Sequence, residues 1–596
     1  MIIGANYEGA GTEMNAGLAK DEAVSPLRRL LREAYDDETV EALVPRILAL
    51  VESARSDFSD HEDGWIDETD VFLITYGDSI TDEMRPPLGV LNDFLSQHLL
   101  GLIRNVHVLP CFPWTSDDGF SVLDYREIKP GLGDWSHIQS LSRSFGVMLD
   151  AVINHISSES GWFKGFRNGD PKFREYFHIC DPMLDYSGVT RPRALPLLTR
   201  FATESGPQYV WTTFSEDQVD LNYANPDVLV EILDVLLFYA RRGARFIRLD
   251  AVGFLWKKLG TTCMHLPETH AIIQVMRWVL DAAVPGVLLI TETNVPHADN
   301  ISYFGDGDNE SHMVYQFPLP PLTLQAFQTG DARLLSQWAA TLAPPSPQTT
   351  YFNFLASHDG IGVRPAEGIL TRDQVEEMAT RVEANGGRVS MRGLPDGSTA
   401  PYELNISFLD AISLPDDDDE LSAKKFLAAQ AVLLSLVGVP AIYIHSLLGI
   451  RNDYQGLAET GRNRSINRKK LKLNDLLAEL RRDESLSALV FAGHCQLLSV
   501  RRTRPAFHPD SAQRVLFLDD RVFSLVRDGK DDWIWATINV SEKPVSMRVL
   551  CAELGRTDTV LLRDIISGQE VRSTRGVIEF ELKPYSAVWF AELEAN

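Results

Sequence analysis

The stretch FIRLDAVGF, residues 246–254, sets an arginine and an aspartate two residues apart, Arg248 and Asp250, inside an apolar run. In a strand, alternation places both on one face. Two buried charges are costly unless they pair or take part in a reaction. Other acidic groups close other β-rich runs. Asp150 ends one and is followed by Asn154 and His155, Glu292 ends VLLITE (287–292), and Asp359 follows YFNFL (351–355) beside His358. Each alone reads as a structural ion pair. Together, Asp250, Glu292 and Asp359 with Arg248, His155 and His358 crowd several carboxylates at one rim, where they repel unless a reaction uses them. Two carboxylates facing one bond are the minimum apparatus of glycoside chemistry: one attacks the sugar's anomeric carbon, the other protonates the departing oxygen. Carboxylates and histidines also make metal sites, but no compact ligand motif such as HExxH occurs, and neither metal nor cofactor is expected.

These residues need a frame that gathers strand ends. Eight short apolar runs recur, at 71–76, 106–110, 146–153, 245–250, 287–292, 313–317, 351–355 and 438–444. Helical stretches such as 226–242 and 269–284 lie between most of them. The alternation predicts an α/β fold, a parallel sheet closed into a (β/α)8 TIM barrel, whose active sites form at the C-terminal ends of the strands. The catalytic barrel is expected over 66–509, with insertions at about 156–225 and 365–415. The second insertion leads into the acidic run PDDDDE (415–420), which reads as a solvated turn. Ahead of the barrel, 1–65 reads as a helical extension, disordered to about residue 22 and then helical over 25–55, with Ser25 as N-cap and Pro26 in the first turn. Residues 510–596 alternate apolar and polar positions around Asp-Gly turns and predict a C-terminal antiparallel β domain.

The formal net charge of −27 argues against nucleic acid and anionic membranes as partners. Any anionic substrate then needs a local cationic pocket. Cys111, Cys180, Cys263, Cys495 and Cys551 are odd in number and lack CxxC spacing, so they read as reduced thiols. With no basic start followed by an apolar core and no run of transmembrane length, a cytoplasmic protein is expected.

DAVINH (150–155), RLDAVGF (248–254), ITETN (290–294) and FLASHDG (354–360) resemble, in order, the four conserved regions of the α-amylase superfamily of glycoside hydrolases. The resemblance runs from about Trp65 to the C-terminus. It implies that Asp250 is the nucleophile, Glu292 the general acid/base and Asp359 the transition-state stabiliser, with Arg248, His155 and His358 on the glucosyl unit. PWTSDDGFSVLDY (113–125), TRPRALPLL (190–198), FPLPPLTLQAF (317–327) and RNRSINRKK (462–470) resemble the sucrose phosphorylase subfamily. That likeness implies a glucose subsite of Asp117, Phe120 and Arg464. It also implies an acceptor subsite with Arg193 on phosphate and Tyr402 contributing a hydroxyl. A phosphorylase must admit phosphate and exclude water, so cations in a dry acceptor subsite are expected. TRPRALPLLTR supplies Arg191, Arg193 and Arg200.

One departure bears on the substrate. Sucrose-cleaving members carry a histidine two residues after the acid/base, where this chain has Asn294, and a tyrosine where it has Phe254. The helical extension, WIDETDVFLITYGDSI and ITETNVPHADNISYFG are instead similar to the branch of the subfamily that cleaves glucosylglycerate. The implied partners are therefore small molecules: a glucosyl glycoside, inorganic phosphate and glycerate. A homodimer is compatible with this. The rivals are phosphorolysis of sucrose, sucrose phosphate or glucosylglycerol, plain α-glucoside hydrolysis, and a non-catalytic amylase-like scaffold.

Overall fold

The computed structural model describes residues 21–56, 64–193, 195–393, 398–557 and 559–593. Eight parallel strands close the barrel: β1 (Phe72–Thr75), β2 (Asn105–Val108), β3 (Gly146–Ala151), β4 (Ala244–Leu249), β5 (Leu288–Thr291), β6 (Met313–Tyr315), β7 (Thr350–Phe354) and β8 (Val439–Tyr443). Each pairs with its sequence neighbours and β8 closes on β1. The strands are almost wholly buried, which is why they read as continuous apolar runs rather than alternating ones. The register sets Asp150 of β3 opposite Arg248 of β4, and Arg248 opposite Ile290 of β5. Acidic and basic groups from separate strands thus meet at one level.

The surrounding helices begin where local chemistry directs. Pro226–Arg241 opens with Pro226 at its first position, and the Asn225 side chain accepts the Asp227 N–H. The acidic run does more than face solvent. Asp418 caps the helix Asp419–Ser435, and Asp417 pairs with Lys425 at 2.5 Å, both side chains almost fully buried.

The helical extension differs from the single helix expected. It forms α1 (Asp21–Arg32) and α2 (Asp37–Arg55), split by a turn because the Asp36 carboxylate accepts the Thr39 N–H and starts a new helix. Pro26 lies inside α1 and Ser25 is not its cap. The expectation of disorder falls, as far as residue 20, outside the described residues. Leu27, Leu31, Val40, Ile47 and Val51 are fully buried, and Arg55 Nε donates to the Ala282 carbonyl at 2.5 Å.

The C-terminal part is antiparallel, as expected. Its six-stranded sheet is centred on Val522–Asp528, Trp533–Asn539 and Ala587–Glu592, and a further pair is Val545–Leu550 with Val577–Leu582. Two buried guanidiniums join it to the barrel. Arg501 donates to the Leu434 and Phe507 carbonyls, and Arg527 to those of Ser435 and His508. The last carbonyls of the helix Asp419–Ser435 have no partners of their own along the helix, and cations satisfy them and its negative end together. Trp589 Nε1 adds a bond to Ser435 Oγ at 2.9 Å.

Candidate active site

Three of the strand-end carboxylates singled out above, Asp250, Glu292 and Asp359, reach one pocket, while Asp150 is buried and pairs with Arg248. Of the twelve residues given a catalytic, sugar-binding or acceptor role from the sequence, eleven line that pocket: Asp250, Glu292, Asp359, Asp117, Phe120, His155, His358, Arg464, Arg193, Asn294 and Tyr402. The twelfth, Arg248, is buried beneath it. Its Nη1 bonds Asp150 and lies 2.9 Å from Asp250 Oδ1, while Nη2 is 3.9 Å from Glu292 Oε2. One guanidinium therefore serves three carboxylates.

Burial pushes the Asp250 carboxyl well up, Arg248 pulls it back and Glu292 raises it further. Burial likewise raises Glu292, which Arg248 lowers and Asp359 raises. Two enclosed carboxyls in such proximity favour holding a proton between them. Arg248 stands closer to Asp250 than to Glu292, at 2.9 against 3.9 Å, and this favours the ionised form of Asp250. The Glu292 carboxyl is oriented by the Ala251 N–H, 3.0 Å from Oε2, with Ala251 in the left-handed region at φ 50°. Asp150 behaves differently: burial raises it, but Arg248 and His107 outweigh that and hold it at about 2. It is a fixed anion that neutralises Arg248.

Asp359 is held by Arg464, whose Nη1 lies 2.6 Å from Oδ1. Arg464 is itself clamped by the buried Glu403 through bonds of 2.9 and 2.7 Å. Asp117 accepts from Arg193 at 2.8 Å and from Gln218 at 3.3 Å. Burial raises Asp117, yet Arg193 and Arg464 outweigh it and hold it ionised. Phe120 stacks on His358 with ring centroids 4.9 Å apart, and His155 Nε2 meets the Phe120 carbonyl at 2.9 Å. Burial lowers both histidines below their ordinary 6.5, so they are neutral hydrogen-bonding groups.

Some readings need correction and some residues were missed. Arg191 and Arg200 are exposed and do not line the pocket; of the segment's three arginines only Arg193 does. Glu403, Gln218 and Arg364 belong to the site although sequence reasoning did not single them out. Glu403 stands next to Tyr402 in APYELN, but its partner Arg464 is distant in the sequence, so their contact was not readable there. Gln218 and Arg364 carried no signal either. Among the described residues, no group of three or more His, Cys, Asp or Glu could hold a metal ion. None of the described helices is long and apolar enough to cross a membrane.

A family model described as "Alpha amylase, catalytic domain" matches residues 98–364. The chain is 45% identical over 581 residues to the glucosylglycerate phosphorylase of Spirochaeta thermophila, covering 95% of this chain and 98% of that protein. It is 42% identical to the glucosylglycerate phosphorylase of Escherichia coli, covering 94% and 98%. The chain belongs to the glucosylglycerate phosphorylase family. A sucrose phosphorylase of Agrobacterium vitis is more distant from this family member, at 30% identity over 74% of the chain. The fold is shared with the crystal structure of sucrose 6F-phosphate phosphorylase from Thermoanaerobacter thermosaccharolyticum, with a TM-score of 0.70, 24% identity and 80% of this chain covered, 96% of that one.

Proposed function

We propose that the protein cleaves 2-O-α-glucosylglycerate with inorganic phosphate, giving α-glucose 1-phosphate and glycerate with retention. What supports this most is the sharing of Arg248 between Asp250 and Glu292 at the floor of a pocket whose walls carry Arg193 and Arg464. The near full-length likeness to the phosphorylases described above supports the choice of substrate.

In the first displacement an Asp250 oxygen bonds to the anomeric carbon and the bond to the glycerate oxygen breaks, that oxygen taking the Glu292 proton. Glycerate leaves and the glucosyl–Asp250 ester remains. A phosphate oxygen then attacks the same carbon and gives its proton to the Glu292 carboxylate, and the ester bond returns its electrons to Asp250. Two inversions give net retention. Asp359, held by Arg464, faces the sugar; Asp117, Phe120, His155 and His358 shape the glucose subsite; Arg193, Asn294 and Tyr402 border the acceptor side. Five unpaired thiols support a reducing, cytoplasmic setting.

The test is glucose 1-phosphate release from glucosylglycerate and from sucrose, each with and without phosphate. Phosphate-dependent release from glucosylglycerate is expected. Release from sucrose instead would keep the double displacement but overturn the acceptor, and free glucose without phosphate would make the enzyme a hydrolase.

A further inference from the structure

The pocket contains a guanidinium that has no counterion among the described residues. Arg364 lines the pocket, yet among the described residues its side chain has no ion-pair or hydrogen-bond partner, and its Nε is buried without one. The neighbouring cations are all committed: Arg193 to Asp117, Arg464 to Asp359 and Glu403, Arg248 to Asp150 and Asp250. A partly desolvated cation that stays unpaired is unfavourable unless a ligand supplies the anion.

A second polar group nearby is in the same condition. Asn294 Oδ1 is buried without a partner, and the side chain lines the same pocket. Its amide packs so close to Gly362 that a Cβ there would lie 2.9 Å from Nδ2. Gly362 pairs with Glu403, and the Val363 N–H donates to the Tyr402 carbonyl at 3.2 Å. Backbone pairing thus fixes Arg364 and Tyr402 in adjacent register, on a flap that also presses on Asn294. Charge and an amide are left open at one place, as recognition of a hydroxy acid requires.

Resting on the phosphorylase reading above, we propose that Arg364 is the specificity-determining residue that binds the carboxylate of the leaving acid, with Asn294 on its adjacent hydroxyl. Selectivity for an acid over a neutral polyol then resides in one side chain, separate from the Arg193–Asp117 pair.

The experiment runs the reaction in the synthetic direction, with α-glucose 1-phosphate as donor and D-glycerate or glycerol as acceptor. Glycerol keeps the three-carbon skeleton and lacks the charge. The reading is the ratio of kcat/KM for glycerate to that for glycerol. In Arg364→Gln the ratio is expected to fall roughly 10- to 100-fold, the size of a lost hydrogen bond to a charged group, and Arg364→Lys recovers part of it. An unchanged ratio overturns the proposal, because a merely structural role weakens both acceptors alike. A rise confined to the KM of glucose 1-phosphate assigns Arg364 to phosphate and overturns it too. Wild-type enzyme that transfers to glycerol but not to glycerate overturns the substrate reading itself, a result distinct from normal wild-type selectivity that Arg364→Gln leaves intact.

Discussion

Arg248 holds a place that no other residue type fills as well, since a planar fork with several fixed donors can meet carboxylates on different strands at once. Its contact with Asp250 was legible in the sequence because strand alternation put the two side chains on one face. Its stronger commitment to Asp150 was not, for that contact needs the register between β3 and β4. The same limit hid Arg364, whose meaning lies in what it fails to touch. The protonation pattern gives a test. In the proposed mechanism Asp250 works ionised and Glu292 protonated, and burial raises both above their ordinary 3.8 and 4.5. Activity should rise with pH as Asp250 loses its proton and fall as Glu292 loses its own, the falling limb lying above 4.5. Glu292→Gln is expected to lower kcat/KM by roughly 10²- to 10⁴-fold and to abolish the falling limb in pH-rate measurements. A falling limb that persists in the variant would assign it to another group.

Elements position these groups, and their boundaries were the harder reading. The eight barrel strands were visible because burial on both faces makes each one largely apolar. The break between α1 and α2 escaped notice although Asp36 and Thr39 carried a capping signal, because a continuous apolar stripe runs across it. Since α2 is buried against the barrel helices, Ile47→Ala should destabilise the fold by about 2–5 kcal/mol through the cavity it leaves. That loss should appear as a lower urea midpoint with KM unchanged. A midpoint equal to wild type would mean α2 packs only loosely. The turn Asp117–Gly119 depends on Gly119, at φ +118°, where a Cβ would stand 2.9 Å from the Pro110 carbonyl oxygen. Gly119→Ala should shift Asp117 and Phe120 and lower kcat/KM for every glucosyl donor by roughly 10- to 100-fold. Wild-type kinetics in that variant would show that the turn tolerates the methyl group.

At the scale of the molecule, buried histidines set its response to acid. Burial lowers His445 and His494 from the ordinary 6.5 to about 4. Below pH 6.5 the unfolded chain takes up protons that the folded chain refuses, so stability falls with pH across the window from 6.5 to about 4. Each such group contributes about 1.4 kcal/mol per pH unit there. The urea midpoint should therefore drop steadily through this window, and more gently in His494→Gln; a flat profile in wild type would contradict the burial of these rings. The three-stranded flap, formed by Ile361–Gly362, Arg388–Gly393 and Thr399–Asn405, has a different kind of consequence. The groups on the sugar are dispersed over the barrel frame, whereas Arg364 and Tyr402 stand on or beside this one flap. On the proposed assignment, grafting a different flap would alter part of the acceptor side without rebuilding the glucosyl chemistry. The constraint on such grafting is Glu403, which must travel with every version to keep Arg464 on Asp359.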